Sequence, residues 1–201
     1  NLTFDNEQLL FDNRKNKAGI IFSDLLKGNY SLTKPIAEED LNLINFKPIH
    51  SHYIVCIICF HEISNTVTTK VISSILRQYF DVFLIKETLE TSVPVLLNLE
   101  DAYVAKLEAF RQAISDHLNI PITLSAGNLY TNIYDSSNSY MEALYTMDYR
   151  FIKGNNCVIL ASDVAFQEDW SEQYPKKDLL KFRRMLGTRN ITTSVQINEQ
   201  L

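Results

Sequence analysis

The sequence contains no apolar run that approaches the roughly 18 residues of a membrane-spanning helix. It also begins at Asn1 without an initiator methionine and without the apolar core of a signal peptide. We therefore interpret the chain as a fragment of a longer protein and expect these residues to lie in the cytoplasm. Whether the parent protein is anchored in a membrane stays open.

Cysteine is scarce, with 3 residues in a chain of 201. An odd number, with two of the three in an apolar stretch, indicates a reducing compartment rather than a disulfide framework. Cys56 and Cys59 form a C-x-x-C pattern, but residues three apart on a strand face opposite sides, so both sulfurs cannot bind one zinc ion. We expect two small buried side chains at these positions.

Clustered positive charge is missing from most of the chain, whose formal net charge is -5. Since a surface that binds duplex nucleic acid needs such clusters, these residues are not expected to contact DNA. The one basic stretch, Lys176–Arg184, is interpreted as a solvated helix face. The composition, 46% hydrophobic and 21% charged, is that of one globular domain with extensions.

The motifs of two large enzyme classes are absent as well. The corner Ser125-Ala126-Gly127 is not the G-x-S-x-G pattern of a nucleophile elbow. The polar run Asp135–Ser139 lacks the glycines and the lysine of a phosphate-binding loop. We interpret that run as an N-cap and loop before a helix at Tyr140–Arg150.

Three histidines, His50, His52 and His61, flank one apolar segment. Imidazole is a common zinc ligand, so a metal site is conceivable. We favour isolated histidines at the ends of a strand, because no carboxylate cluster accompanies them in the sequence.

The aromatic residues Tyr145, Tyr149 and Phe151 are close in the sequence. They are predicted either to line a groove or to belong to the core and its rim. As a platform for stacking RNA bases they lack the basic residues that such platforms carry.

Hydrophobic periodicity predicts a chain of alternating strands and helices. The predicted helices are Asn1–Leu26, Ile36–Phe46, Thr66–Phe80, Asp101–Leu118, Tyr140–Arg150 and Pro175–Leu186. The predicted strands are Tyr53–Phe60, Asp81–Ile85, Val93–Leu99, Ile122–Ser125 and Cys157–Ala161. From Tyr53 onward the order is β-α-β-β-α-β-α-β, and the apolar run YIVCIICF predicts a central strand that is buried on both faces.

Particular residues predict where these elements end. Gly28 and Gly154 should each end a helix, the first in the left-handed conformation, and Pro48 should end the second helix. Pro94 should lie at the start of its strand or on an edge of the sheet. For the first helix two interpretations stay open, namely packing on its own domain and pairing with its twin in a dimer.

The segment Ile122–Val158 carries the most informative pattern. A strand runs into the corner Ala126-Gly127, a helix then carries Ser139-Tyr140-x-Glu142-Ala143, and a turn Gly154-x-Asn156 precedes the last strand. This pattern resembles the last third of the GGDEF fold, in the degenerate form found in AraC-family (YesN- and CdaR-like) bacterial transcription regulators.

The resemblance implies an α+β fold of the ferredoxin-like, nucleotidyl-cyclase type, in which helices pack on a mixed sheet. Phe22–Ser31 resembles the helix before this module, and Pro175–Leu186 resembles the linker helix after it. The implied domains are 1–50 for N-terminal signalling helices, 51–166 for the degenerate GGDEF-like domain and 167–201 for a linker. That linker would lead to a helix-turn-helix domain outside the chain.

The residues that a GGDEF cyclase uses for catalysis are missing from the matching positions. The resemblance implies a metal-binding Asp at the end of the first strand, but the first acid there is Glu62. It also implies a glycine-containing hairpin turn, but the hairpin KETLETS has no glycine and only Glu87 and Glu90 as acids. Because metal ions must neutralise the triphosphate of GTP, we predict a pseudoenzyme without catalytic, cofactor-binding or metal-binding residues.

The resemblance therefore implies a regulatory domain that relays a signal from an upstream sensor to a downstream DNA-binding domain. We expect a homodimer, in which DNA is bound by the parent's C-terminal domain and not by this fragment. A second hypothesis is a receptor domain that binds a nucleotide or another small molecule without converting it.

Overall fold

The computed structural model describes residues 16–61, 69–85 and 91–164, all within one unit that extends from Asn1 to Val164. The helices are α1 (residues 16–26), α2 (Glu38–Leu43), α3 (Thr69–Tyr79), α4 (Val104–Leu118), α5 (Ser136–Asp148) and α6 (Arg150–Lys153). The strands are β1 (His52–Phe60), β2 (Val82–Ile85), β3 (Ser92–Leu99), β4 (Ile122–Ala126) and β5 (Val158–Leu160). The predicted linker helix Pro175–Leu186 lies outside the described residues.

The five strands form one open mixed sheet in the order β2-β3-β1-β4-β5. Strand β1 pairs antiparallel with both β3 and β4, and β2 and β3 form an antiparallel hairpin. Strands β4 and β5 are parallel and are connected through α5 and α6. The predicted α+β class and the predicted order of elements are therefore confirmed.

Strand β1 is the centre of the core because both of its faces are covered. Ile54, Cys56 and Ile58 point into the cluster formed with α3 and α4. The alternate residues Val55 and Ile57 point to the opposite face, which α1, α2 and α5 cover. This alternation follows from the period of two along a strand, and it explains why the whole run is apolar.

Helix α4 shows the predicted apolar stripe. Leu107, Phe110 and Ile114 are buried against the sheet. Phe110 also contacts Tyr79 and Phe80 edge-to-face, with ring centroids 6.2 and 5.7 Å away. Such pairs add about 1 kcal/mol to the free energy gained from burial alone, and they join α4 to the end of α3.

Helix α1 ends as predicted, because Gly28 has a φ of 71°. The amide of Gly28 donates to the carbonyl of Leu25, and the amide of Asn29 donates to the carbonyl of Asp24, which is the Schellman arrangement. The side chains of Ile21, Phe22 and Leu25 are buried in the domain's own core. For residues 16–26 the structure thus agrees with the first interpretation, packing on the same domain, while pairing with a twin helix stays a prediction.

Two predicted helix boundaries were wrong, whereas the prediction for Pro94 was confirmed. Helix α2 ends at Leu43, well before Pro48, because Asn45 takes a left-handed conformation with φ 55°. Pro94 lies near the start of β3, one of the two predicted places, although β3 is an inner strand.

The helix predicted at Tyr140–Arg150 begins earlier, at Ser136. A short 3-10 turn over Ile133–Asp135 leads into it, and the hydroxyl of Ser136 donates to the carbonyl of Ile133 at 2.5 Å. The prediction placed Ser136, Ser137 and Ser139 in a cap and loop because serine favours caps and turns. Within the described ranges, every helix is too short or too polar to traverse a bilayer.

Candidate functional site at the carboxyl end of the central strand

The carboxyl end of β1 is where a GGDEF cyclase would hold its metal-binding acid. In this chain the strand ends with Cys59 and Phe60, which are buried, and His61 follows. Glu62, Glu87 and Glu90, the acids nearest to this end in the sequence, lie outside the described residues. The chemistry that can be described here comes from His61 and from the residues that face it.

An open cleft of about 520 Å³ lies at this end of the strand. Its lining residues are Phe60, His61, Thr91, Arg150, Phe151, Gly154 and Asn155. Among these described lining residues, Arg150 and His61 are the ionisable ones, and none is a carboxylate. This composition suits an anionic ligand, because a guanidinium group donates two parallel hydrogen bonds to carboxylate or phosphate oxygens.

Phe151 adds a flat apolar surface to the cleft. Its side chain is 80% exposed, and the guanidinium carbon of Arg150 lies 5.1 Å from its ring centroid. A cation at this distance is attracted by the ring, so the two side chains form one stacked unit. Of the three aromatic residues predicted to lie together, only Phe151 lines the described cleft; Tyr145 and Tyr149 do not.

His61 is held by a buried hydroxyl group. Its Nε2 atom lies 2.9 Å from Oγ1 of Thr123, and Thr123 is fully buried on β4. Burial lowers the pKa of His61 below its usual value, and the positive charge of Arg150 lowers it further. The neutral imidazole is therefore the favoured form.

The turn that follows Gly154 is tied to the same hydroxyl. The amide of Asn156 donates to Oγ1 of Thr123 at 3.3 Å, and Asn156 has a φ of 66°. Its side-chain oxygen accepts hydrogen bonds from Nη1 of Arg111, from the Ser115 hydroxyl and from the Ile122 amide. One asparagine thus joins α4, the start of β4 and the turn before β5.

Arg111 in this network is a buried cation. Its side chain is 4% exposed, and Nε and Nη2 donate to one carboxylate oxygen of Glu108 at 2.9 and 2.6 Å. Nη2 also donates to the side chain of Gln112. A buried charge is tolerated when its donors are satisfied, so Arg111 is a structural residue that supports Asn156.

The residues of the Ser139-Tyr140-x-Glu142-Ala143 pattern are engaged in contacts within the domain. The hydroxyl of Ser139 donates to the carbonyl of Asn128 and accepts from the amide of Val55 at 2.8 Å. The carboxylate of Glu142 accepts from the Asn128 amide and from the Tyr130 hydroxyl. Burial raises the pKa of Tyr130, and the hydrogen bond of its hydroxyl to the Glu142 carboxylate raises it further.

The corner at Gly127 explains why the pattern contains small residues. A β-carbon added to Gly127 would lie 2.0 Å from the carbonyl oxygen of Ser139. The carbonyl of Ala143, which is fully buried, accepts the hydroxyl of Ser125 at 2.5 Å. Helix α5 therefore lies directly on the end of β4, and any larger residue at the corner would push it away.

The three histidines are not brought together. His50 lies beside Asp81 and Glu100, with nitrogen to oxygen distances of 3.6 Å each, at the amino end of β1. His52 faces Asp101 there at 3.2 Å, whereas His61 follows the other end of the strand. Among the described residues no group of three histidines, cysteines or acids could hold a metal ion.

The cysteines have the predicted positions. Cys56 and Cys59 are buried on opposite faces of the sheet, which confirms that the C-x-x-C pattern is not one site. Burial raises the pKa of Cys56 far above its usual value, so this thiol is unreactive. Burial also raises the pKa of Cys157, although Arg111 and Lys153 act in the opposite direction.

Sequence reasoning missed the roles of Thr123 and Arg111 at this site. The Gly154-x-Asn156 turn was the one available signal. It marked Asn156 but did not indicate that Thr123 and Arg111 are its partners. A scan against protein-family models gave no match to the chain, and a search of curated proteins gave no significant match.

Proposed function

We propose that the chain is a non-catalytic regulatory domain of an AraC-family transcription regulator, with a degenerate GGDEF-like fold. In this role it lies in the cytoplasm as a homodimer and couples an upstream sensor to a helix-turn-helix domain that binds DNA. The strand order supports the finer fold assignment. Strand β3 lies between β1 and β2, and β1 lies between β3 and β4, which is the pair of split βαβ units of a ferredoxin-like sheet.

The observation that carries the relay role is the packing of α1 on the sheet. Phe22 and Leu25 are buried in one cluster with Leu84 and Leu96 of β2 and β3 and with Val55 of β1. Close-packed cores do not deform continuously, so a displacement of α1 must move these strands or break the cluster. A signal that reaches α1 is thereby delivered to the centre of the sheet.

Two further contacts tie this helical layer together. Nζ of Lys17 on α1 lies 3.2 Å from the carboxylate of Asp40 on α2. Tyr140 of α5 packs against the same cluster that Phe22 and Leu25 of α1 join. The helices on this face therefore have the contacts needed to move as one layer.

A test of the relay compares two positions on α1 in the full-length parent protein. Phe22→Leu keeps an apolar side chain but leaves a small cavity at a fully buried position, so it should cost about 1–2 kcal/mol of stability while it loosens the contact with the sheet. We expect the variant to fold but to lose most of the input-dependent change in DNA binding, measured by fluorescence anisotropy. Ile20→Ala is the control, because Ile20 is 58% exposed.

Equal responses of Phe22→Leu, Ile20→Ala and the wild-type protein would contradict the relay. Near-ultraviolet circular dichroism separates a lost response from a lost fold. Formation of a cyclic dinucleotide from GTP and Mg²⁺ would contradict the non-catalytic assignment directly.

The cleft favours a second candidate function, a receptor for a small anionic molecule that is bound without turnover. The observation behind it is the joint presence of Arg150, His61 and the exposed ring of Phe151. Thermal shift with a panel of nucleotides tests it, since a ligand at about 100 times its Kd adds about 2.7 kcal/mol of stability. Arg150→Gln should abolish the shift. If no nucleotide produces a shift, the nucleotide-receptor function is contradicted and the relay function has no nucleotide ligand.

A further inference from the structure

The hydrogen bonds of Thr123 determine which protonation state of His61 fits the structure. The Thr123 hydroxyl accepts the amide of Asn156 at 3.3 Å and lies 2.9 Å from Nε2 of His61. Since Thr123 is fully buried, its own hydrogen needs an acceptor within the protein. Among the described residues that acceptor is Nε2 of His61, which must then carry no hydrogen.

Protonation of His61 removes this acceptor. Nε2 would gain a hydrogen that points at Oγ1 of Thr123, so the hydroxyl would have to turn away. The described residues offer it no second acceptor within hydrogen-bond distance, and a buried hydroxyl without an acceptor is destabilising. The Asn156 amide, which uses the same oxygen, loses part of its support when Thr123 rearranges.

We propose that His61 and Thr123 form a proton-sensitive latch, closed while His61 is neutral and opened by its protonation, which controls the turn over residues 154–157. The latch lies at the edge of the cleft, because His61, Gly154 and Asn155 all line it. Opening would therefore loosen one wall of the cleft. The latch is independent of the proposed relay, since it involves neither α1 nor the cluster that α1 joins.

The charges around His61 act in the same direction. Among the described residues, Arg150 on α6 is the charged one that faces it. The uncharged neighbours are Thr123 on β4, Thr91 just before β3 and Asn155 in the turn. A neighbouring cation opposes a second positive charge on the imidazole. Because the native pKa of His61 is lowered, the unfolded chain takes up the proton first, near pH 6.5, and acidification below that pH favours opening.

Amide hydrogen exchange measured by NMR on the full chain tests the latch at pH 8.0 and pH 5.5 (chosen about 1 unit or more on either side of the ordinary histidine pKa). After correction for intrinsic exchange, we expect the protection of the Asn156 amide to fall about fivefold at the lower pH, the equivalent of one ordinary hydrogen bond. The Ile49 amide is the internal control, because it donates to the side chain of Asn98 near the other end of β1.

Two variants decide the cause. His61→Gln cannot be protonated at this position, so the Asn156 amide of this variant should show equal protection at both pH values. Acidification from pH 8.0 to pH 5.5 should lower the melting temperature of the variant less than that of the wild type. Thr123→Val lacks the hydroxyl and should show low protection at both. Equal wild-type protection at the two pH values, or the same fall in His61→Gln, would overturn the latch.

Discussion

The two ends of the central strand are held in different ways. At the amino end, the side chain of Asn98 holds the incoming chain with four hydrogen bonds. Its oxygen accepts the amides of Ile49 and His50 at 2.9 Å, and its nitrogen donates to the carbonyls of His50 and His52 at 2.8 and 2.9 Å. At the carboxyl end, one hydroxyl, that of Thr123, connects the chain after β1 with the turn before β5.

With these two attachments, one strand is firmly anchored at its amino end and able to respond to its surroundings at its carboxyl end. An amide has no titratable proton, and all hydrogen-bonding positions of Asn98 are occupied in a site that is 1% exposed. The hydrogen bonds of Asn98 therefore do not depend on the gain or loss of a side-chain proton. A single hydroxyl shared with a histidine is weaker and depends on pH, so changes in environment should be expressed at the carboxyl end.

The largest expected effect is the loss of the amino-end anchor. Asn98→Ala leaves two amides and two carbonyls without their partner, and we expect the free energy of unfolding to fall by about 3 kcal/mol. Urea denaturation followed by circular dichroism measures this change. Asn42→Ala is the matched control, since Asn42 is exposed on α2, and it should change stability by less than about 0.5 kcal/mol.

A loss in Asn98→Ala no larger than that of the control would remove the contrast between the two ends. Asn98→Asp refines the result, because aspartate keeps the acceptor for the Ile49 and His50 amides but cannot donate to the His50 and His52 carbonyls. A free energy of unfolding between those of Asn98→Ala and the wild type would show how much stability comes from the two hydrogen bonds that Asn98 accepts and how much from the two that it donates.

A smaller effect is expected at the carboxyl end from Asn156→Gly. Glycine adopts the positive φ without strain, so the change removes only the side chain that Arg111, Ser115 and Ile122 use as an acceptor. We expect a loss of about 2 kcal/mol, mainly because Arg111 stays buried with fewer partners. The same denaturation experiment measures it.

Asn119→Gly is the control for backbone conformation. Asn119 is also left-handed, with a φ of 52°, but it is exposed at the end of α4 and its side chain makes no hydrogen bond to the described part of the chain. Its replacement should be neutral or slightly stabilising, by less than about 1 kcal/mol. Similar effects of the two changes would mean that the Asn156 side chain is not a structural hub.

The strand between these ends was predictable from the sequence, whereas its two attachments were not. The run from Tyr53 to Phe60 is apolar at every position, which is the pattern of a strand covered on both sides, and local patterns of this kind survive into the fold. Asn98 appears in the sequence as one polar residue within the apolar run Val93–Leu99, and Thr123 shares its short strand with one other polar residue, Ser125. Their partners lie far away along the chain, and no periodicity encodes such pairs.

The error at the start of α5 has a related cause. Ser136 and Ser139 were assigned to a loop because serine in isolation competes with helical hydrogen bonds. In the fold, Ser139 instead bonds to Val55 of β1 and to the loop after β4. These hydrogen bonds to distant residues stabilise the helical conformation of Ser139 and override its local preference for a loop. They cannot be identified from the sequence before the pairing of the strands is known.

The smallest effect is expected from the charges at the amino end, and it sharpens the comparison. The carboxylate of Asp81 is 3.6 Å from Nε2 of His50 and 75% exposed, and that of Glu100 is 3.6 Å from Nδ1 and 69% exposed. Exposed pairs at such distances are screened by water and salt. Asp81→Asn and Glu100→Gln should therefore each change the free energy of unfolding by less than about 0.5 kcal/mol.

Urea denaturation of both variants and of the double variant, at low and high salt, measures these changes. A loss above about 1 kcal/mol that disappears in high salt would mean that electrostatics, and not the Asn98 amide alone, anchors this end of the strand.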